Sequence, residues 1–86
     1  MGSYQIKWKK SALKDLRAIR RDFIPKIIEA IESLAINAFP IGAKKLVGSE
    51  STFRIKIGDY RVIYEALKTE LIIQIIRVRH RKNVYR

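Results

Sequence analysis

The sequence lacks cysteine altogether and has one histidine, two prolines and only eight acidic residues in 86 positions. Without cysteine there is no disulfide framework, no thiolate nucleophile and no Cys-ligated zinc. A single histidine excludes a histidine-rich metal site. No run of about 18 apolar residues is present, so no segment is expected to span a membrane, and the N-terminus has no apolar signal core. These absences predict one cytoplasmic domain, residues 1–86, with no metal and no small-molecule cofactor.

Positive charge is what the sequence has in excess. Nineteen Lys and Arg residues oppose the eight acids, and the formal net charge is +11. Hydrophobic residues make up 48% of the chain, which is enough to fold and unlike the composition of a disordered basic tail. The expected partners are therefore polyanions, either nucleic acid or an acidic protein.

Two hydrophobic periods alternate along the chain. Alternating apolar residues at 4–8, 53–57 and 60–67 predict strands, and the aliphatic run at 71–79 favours one more. Helical spacing predicts one helix from Ser11, as its N-cap, to Arg21 and a second with Pro25 in its first turn, followed by a loop over 37–52. The order β-α-α-β-β-β predicts an α+β fold, with two N-terminal helices packed on a small, mainly antiparallel four-stranded sheet.

The charge is concentrated at the two ends of the chain. Residues 1–21 hold seven Lys or Arg with one acid, and residues 77–86 hold five with none. The helical cations are equally typical of a solvated surface. Alternate residues of a strand share a face, so Arg77 and Arg79 should project together, as should Arg54 and Lys56. A sheet face with that many cations repels itself, which favours a bound polyanion.

Most catalytic mechanisms do not fit this composition. The acids are scattered, so neither a carboxylate pair nor a two-metal nuclease site is indicated, and no phosphate-binding glycine loop is present. Metal-free RNA cleavage remains, because the substrate 2′-hydroxyl is the nucleophile and cations stabilise the charge on the phosphorus centre. His80, Arg81 and Tyr85 lie together at the end of the most basic strand, where either the histidine or the tyrosine can act as the base.

Three segments together resemble the RelE toxins of the RelE/ParE superfamily: PIGAKKL at 40–46, FRIKIGDYRVIYE at 53–65 and VRHRKNVYR at 78–86. The resemblance covers essentially the whole chain. It implies a ribosome-dependent endoribonuclease of a type II toxin–antitoxin module, which cuts mRNA in the ribosomal A site and is neutralised by a cognate antitoxin. Two alternatives stay open: a ParE-like toxin that acts on DNA gyrase without cutting RNA, and a non-catalytic basic nucleic-acid-binding module.

The resemblance also implies residue roles. Arg61 and Arg81 would bind the scissile phosphate, Arg54 and Lys56 would steer and neutralise it, and Tyr85 or His80 would handle the 2′ proton. The candidate catalytic residues are therefore Arg54, Lys56, Arg61, His80, Arg81 and Tyr85. A second basic set is expected to contact ribosomal RNA, and it comprises Lys9, Lys10, Lys14, Arg17, Arg20, Arg21, Lys44 and Lys45. The cognate antitoxin is expected to present an acidic or amphipathic segment to the exposed sheet and helix surface.

Overall fold

The computed structural model describes residues 3–80. Its elements are β1 (Gln5–Trp8), α1 (Lys10–Arg17), α2 (Ile24–Ser33), β2 (Lys44–Lys45), β3 (Thr52–Ile57), β4 (Tyr60–Leu67) and β5 (Ile72–His80). The strands form a five-stranded sheet in the order β1-β5-β4-β3-β2. β1 runs parallel to β5, and the other neighbours are antiparallel. The predicted α+β class is confirmed.

β2 is the strand that the sequence pattern misses, so the four-stranded count is wrong by one. Its two residues lie inside the predicted loop 37–52 and pair antiparallel with Arg54 and Phe53. Two residues are too few to show an alternating hydrophobic pattern, so the sequence pattern does not predict this strand. Its consequence for the site is large, because it brings Lys44 directly opposite Arg54.

α1 begins and ends earlier than the helical spacing predicts. It spans Lys10–Arg17, and its N-cap is Lys9, whose side chain makes no capping hydrogen bond. Ser11 lies inside the first turn, where its hydroxyl donates to the carbonyl oxygen of Ile76 at 2.8 Å. α2 does begin as predicted, with Pro25 in its first turn. Among residues 3–80, neither helix is long and apolar enough to cross a membrane.

The hydrophobic core lies between the helices and one face of the sheet. Its buried side chains are Ala12, Ile19, Ile27, Ile31, Leu34, Ala38, Ile55, Val62, Tyr64, Ala66, Ile73, Ile75 and Val78. Tyr64 is the largest of them, and its hydroxyl donates to the carbonyl oxygen of Ala38 at 2.7 Å. Burial raises the pKa of Tyr64 to about 12, so its phenol stays neutral and serves as a fixed donor between the sheet and the end of the helical region.

The β3–β4 hairpin turns at Gly58 and Asp59. Gly58 has φ +59°, and a Cβ atom there would lie 2.6 Å from the ring of Phe23. Both the backbone conformation and the close approach of that ring therefore require glycine. A short turn fixes the register of a hairpin, so Gly58 helps to determine which residues of β3 and β4 lie opposite each other.

Candidate nucleic-acid interface

A row of three cations crosses β3, β4 and β5, one residue in from the end of the sheet that carries the β3–β4 turn. Lys56 of β3 lies opposite Arg61 of β4, and Arg61 lies opposite Arg79 of β5. Residues directly opposite in an antiparallel pair have Cβ atoms about 4.5–5.5 Å apart and share one face. The next pair, Val62 with Val78, is buried against the helices. The three cations, called the cation row below, therefore project from the opposite face of the sheet.

β2 adds a second pair of cations beside the row. Lys44 lies opposite Arg54, and Arg54 is two residues from Lys56, a spacing of about 6.6 Å along a strand. A cleft of about 290 Å³ is lined by Gly42, Lys44, Arg54, Ile55, Lys56 and Arg61. Among the described residues that line it, none is acidic. The five cations Lys44, Arg54, Lys56, Arg61 and Arg79 are called the cationic face below.

Arg61 is more confined than Lys56 in the cation row. Its residue is half-buried, whereas Lys56 is exposed, and the Nε atom of Arg61 is buried. A guanidinium on a confined stem has less freedom to lose when it binds, and its planar fork matches the oxygens of a phosphate. Adjacent like charges destabilise a sheet, so this arrangement is better suited to holding an anion than to stabilising the fold.

Glu65 is an acid on the same sheet face, two rows along β4 from Arg61. It lies opposite Thr52 on β3 and Gln74 on β5. The hydroxyl of Ser51 donates to its Oε2 at 3.1 Å. The negative charge is therefore held near one end of the face, away from the row itself.

His80 does not join the cation row. It lies opposite Tyr60, and the two rings meet edge to face with centroids 5.2 Å apart. The ring of Tyr60 is 5.0 Å from that of Phe23 and packs against the core. Since His80 follows Arg79 in the strand, it points to the helix side of the sheet. The structure thus separates this candidate from Lys56 and Arg61.

Arg77 shares the face of Arg79, as alternation predicts, but its guanidinium is paired with an acid of α1. Its Nε and Nη2 donate to the two carboxylate oxygens of Asp15 at 2.9 and 3.1 Å. Arg79 is then the β5 arginine that reaches the row, although the sequence reasoning omits it from the catalytic set. The sequence indicates Arg79 only through its two-residue spacing from Arg77, and its position opposite Arg61 comes from the register of the sheet. The candidates Arg81 and Tyr85 lie outside the described residues.

The cations assigned to ribosomal RNA divide into two groups. Those on and around α1 are exposed: Lys9, Lys10, Lys14, Arg17, Arg20 and Arg21. Arg20 pairs with Asp22 at 3.0 Å, with both side chains largely in solvent. Lys45 lies opposite Phe53 and is exposed, so it is on the other side of the sheet from Lys44. Lys44 alone of this set lines the cationic cleft.

Residues 3–80 contain no cluster of three or more His, Asp or Glu side chains with the geometry of a metal site. What the described residues bring together is instead a set of five cations on one sheet face. Such a face can bind and neutralise phosphates and stabilise charge that develops on them.

Comparison with known proteins gives a consistent result. The family model for the ParE toxin of the type II toxin–antitoxin system parDE matches residues 6–85. A RelE1 toxin of Methanocaldococcus jannaschii is 33% identical, over 96% of this chain and 96% of that protein. RelE in the RelE–RelB complex of Pyrococcus horikoshii OT3 superposes with a TM-score of 0.81 at 26% identity, covering 92% of this chain and 96% of that one. The RelBE2 toxin–antitoxin complex of Mycobacterium tuberculosis has the same fold, with a TM-score of 0.81 at 22% identity over 91% of this chain and 98% of that chain.

Proposed function

Because this chain belongs to the RelE/ParE family of type II toxin–antitoxin toxins, we propose that it is a ribosome-dependent endoribonuclease. It cuts mRNA in the ribosomal A site and so stops translation. The observation that carries this proposal is the cation row, in which Lys56, Arg61 and Arg79 lie side by side on one face of the sheet. That row has the charge, the spacing and the confinement expected of a site for one phosphodiester of a single RNA strand.

The reaction needs no nucleophile from the protein. The 2′-hydroxyl oxygen of the RNA attacks the adjacent phosphorus, its proton passes to a base, and the 5′ oxygen leaves with a proton, giving a 2′,3′-cyclic phosphate. Arg61 and Arg79 hold the non-bridging oxygens and stabilise the charge that grows on them. Lys56 neutralises the same phosphate, and Arg54 extends the clamp along the strand.

Proton transfer is assigned to Tyr85, with Arg81 assisting the leaving group. Both assignments rest on the family resemblance, and both residues lie outside the described range. The orientation of His80, on the helix side beside Tyr60, favours Tyr85 over His80 as the residue that takes the 2′ proton.

Two partners complete the proposal. The exposed cations of α1 contact the backbone of ribosomal RNA, through interactions that weaken as salt rises. A cognate antitoxin covers the cationic face with an acidic segment, since complementary charge favours fast and specific association. The solved relatives include a RelE–RelB complex from Pyrococcus horikoshii and the RelBE2 toxin–antitoxin complex from Mycobacterium tuberculosis, which supports an antitoxin partner for this chain.

A second candidate function is interference with DNA gyrase. It is favoured by the family model that matches this chain, which is described as the ParE toxin. The cationic face is compatible with a DNA or protein contact as well as with RNA. What weighs against it is the concentration of arginines around a single row, because docking without catalysis does not require two guanidinium groups on one phosphate.

A translation extract programmed with a defined mRNA separates the two functions. Primer extension is expected to show new 5′ ends within the codon that occupies the A site. An mRNA with a 2′-deoxy nucleotide at the cut position is the matched control, and it should stay intact because the nucleophile is missing. Intact ribosomal mRNA together with trapped gyrase–DNA complexes would instead establish the gyrase function.

A further inference from the structure

The alternation of β5 changes phase in the middle of the strand. Ile73 and Ile75 are buried, and the next buried residue is Val78 rather than residue 77. The register shows the cause, because Tyr64 lies opposite Ile75 while the preceding residue, Ile63, lies opposite Arg77. Ile76 is therefore an extra residue, a β-bulge. In an unbroken strand, position 79 would share the face of Ile75 and point into the core.

The bulge decides where Arg79 points. With Ile76 inserted, Arg79 lies opposite Arg61 on the outer face. Without it, the row would lose its third cation and the core would gain a charge. Bulges that re-aim a side chain are common beside active sites. The placement of Arg79 thus depends on whatever holds the chain in the bulged form.

Helix α1 and its N-cap Lys9 contact the backbone of β5 before, at and after the bulge. β1 ends at Trp8, opposite Ile75, so within residues 3–80 the remainder of this edge of β5 has no strand beside it. The amide of Lys9 donates to Ile75 oxygen at 3.0 Å, and the hydroxyl of Ser11 donates to Ile76 oxygen at 2.8 Å. The amide of Val78 donates to Oδ2 of Asp15 at 3.1 Å.

Asp15 makes the strongest of these interactions. Besides the Val78 amide, it accepts both Nε and Nη2 of Arg77 in a two-point pair. Its side chain is 15% exposed, whereas that of Asp22 in the surface pair with Arg20 is 69% exposed. A shielded two-point pair is stronger and better defined than an exposed one. Asp15 therefore holds Arg77 and Val78, the two residues that precede Arg79.

We propose that Ser11 and Asp15 are positioning residues that hold the β5 bulge and thereby place Arg79 in the cation row. The inference rests on the proposed function only in taking that row as the RNA phosphate site. The placement of Arg79 is a separate structural claim. Ser11 and Asp15 are one helical turn apart, which lets one face of α1 reach both Ile76 and the two residues that follow it.

The test measures single-turnover cleavage of mRNA on ribosomes. Asp15→Ala is expected to lower the rate by about 100-fold, the size of loss that follows a displacement of about 1 Å at a reacting group. Asp22→Ala, which makes the same change of charge at an exposed site, should keep the wild-type rate. In an Arg79→Ala background Asp15→Ala should have almost no further effect, because the residue it positions is gone. A loss of the same factor in both backgrounds would overturn the proposal.

A second measurement is independent of activity. Cross-strand proton contacts between Arg61 and Arg79, observed by NMR, report the register directly. They should weaken in Asp15→Ala and in Ser11→Ala and be restored in Ser11→Thr, which retains the hydroxyl. Wild-type signals in both alanine variants would overturn the proposal, and if Asp15→Ala does not fold, Ser11→Ala still decides it. If the wild-type protein leaves mRNA intact, the proposed function fails while the register measurement stands.

Discussion

The two faces of the sheet are made by the same three strands and have opposite properties. On the helix face Val62, Tyr64 and Ile75 are fully buried. On the outer face, Arg61 and Arg79 lie next to each other, one residue along from Val62 and Val78. The helix face stabilises the fold by removing apolar area from water, whereas the outer face places like charges together at some cost. The contrast indicates that the outer face is arranged for a ligand.

The largest expected effect is a loss of stability when a side chain on the helix face is truncated. Ile75→Ala removes a fully buried side chain from the centre of the core, and it should lower the free energy of unfolding by about 2–5 kcal/mol. Urea denaturation measures this loss. The cleavage rate per folded molecule should be retained at low temperature. A wild-type free energy of unfolding for Ile75→Ala would show that the Ile75 side chain is not packed in the core.

On the outer face, a substitution should lower the cleavage rate. Arg61→Ala is expected to lower the single-turnover cleavage rate by about 10²–10³, as the loss of one donor to a developing charge does. Ribosome association should change much less. Arg61→Lys retains the charge but lacks the planar guanidinium, so its cleavage rate should lie between those of wild type and Arg61→Ala. If Arg61→Ala cleaved at the wild-type rate, the cation row would not be the reaction site.

Sequence patterns predict the strands and helices well because burial on one face produces a clear period. They miss β2, which is too short to have one. They also place Arg54 and Lys56 on a common face, since that pairing depends only on alternation within one strand. Alternation holds for Arg77 and Arg79 of β5 as well, but it does not extend across Ile76, where the bulge changes the phase.

The remaining features of the site depend on interactions between distant parts of the chain. Arg77 is paired with Asp15, 62 residues away in sequence, and no local pattern identifies that partner. The orientation of His80 follows from the same change of phase in β5. The adjacent pair Ile75-Ile76 does not mark the bulge by itself, because Leu71, Ile72 and Ile73 are also consecutive apolar residues.

A third prediction contrasts the fixed cations of the sheet with the solvated cations of α1. The variant K10E/K14E/R17E reverses three exposed charges and should weaken ribosome association. The dependence of log affinity on log salt should become shallower by about 0.7–0.9 for each RNA phosphate that the variant no longer neutralises. Cleavage at saturating ribosome should stay close to wild type. Lys26→Glu reverses one exposed charge on α2, outside the proposed docking surface, and shows how much a charge reversal elsewhere affects binding. Equal binding by wild type and the triple variant across the salt series would remove α1 from the docking surface.

The smallest effect concerns Tyr64, whose hydroxyl is a polar group inside the hydrophobic core. Tyr64→Phe removes the hydrogen bond to Ala38 and should lower the free energy of unfolding by about 1 kcal/mol at neutral pH.

Burial raises the pKa of Tyr64 from 10.0 to about 12, so the folded state binds the phenolic proton more tightly than the unfolded state. The stability linked to that proton is complete below pH 10 and is lost as the pH rises from 10 towards 12. Urea denaturation across this range should therefore show wild type losing stability faster than Tyr64→Phe, by up to about 1.4 kcal/mol per pH unit. Parallel pH profiles for the two proteins would mean that the Tyr64 phenol ionises in the folded state as readily as in the unfolded chain.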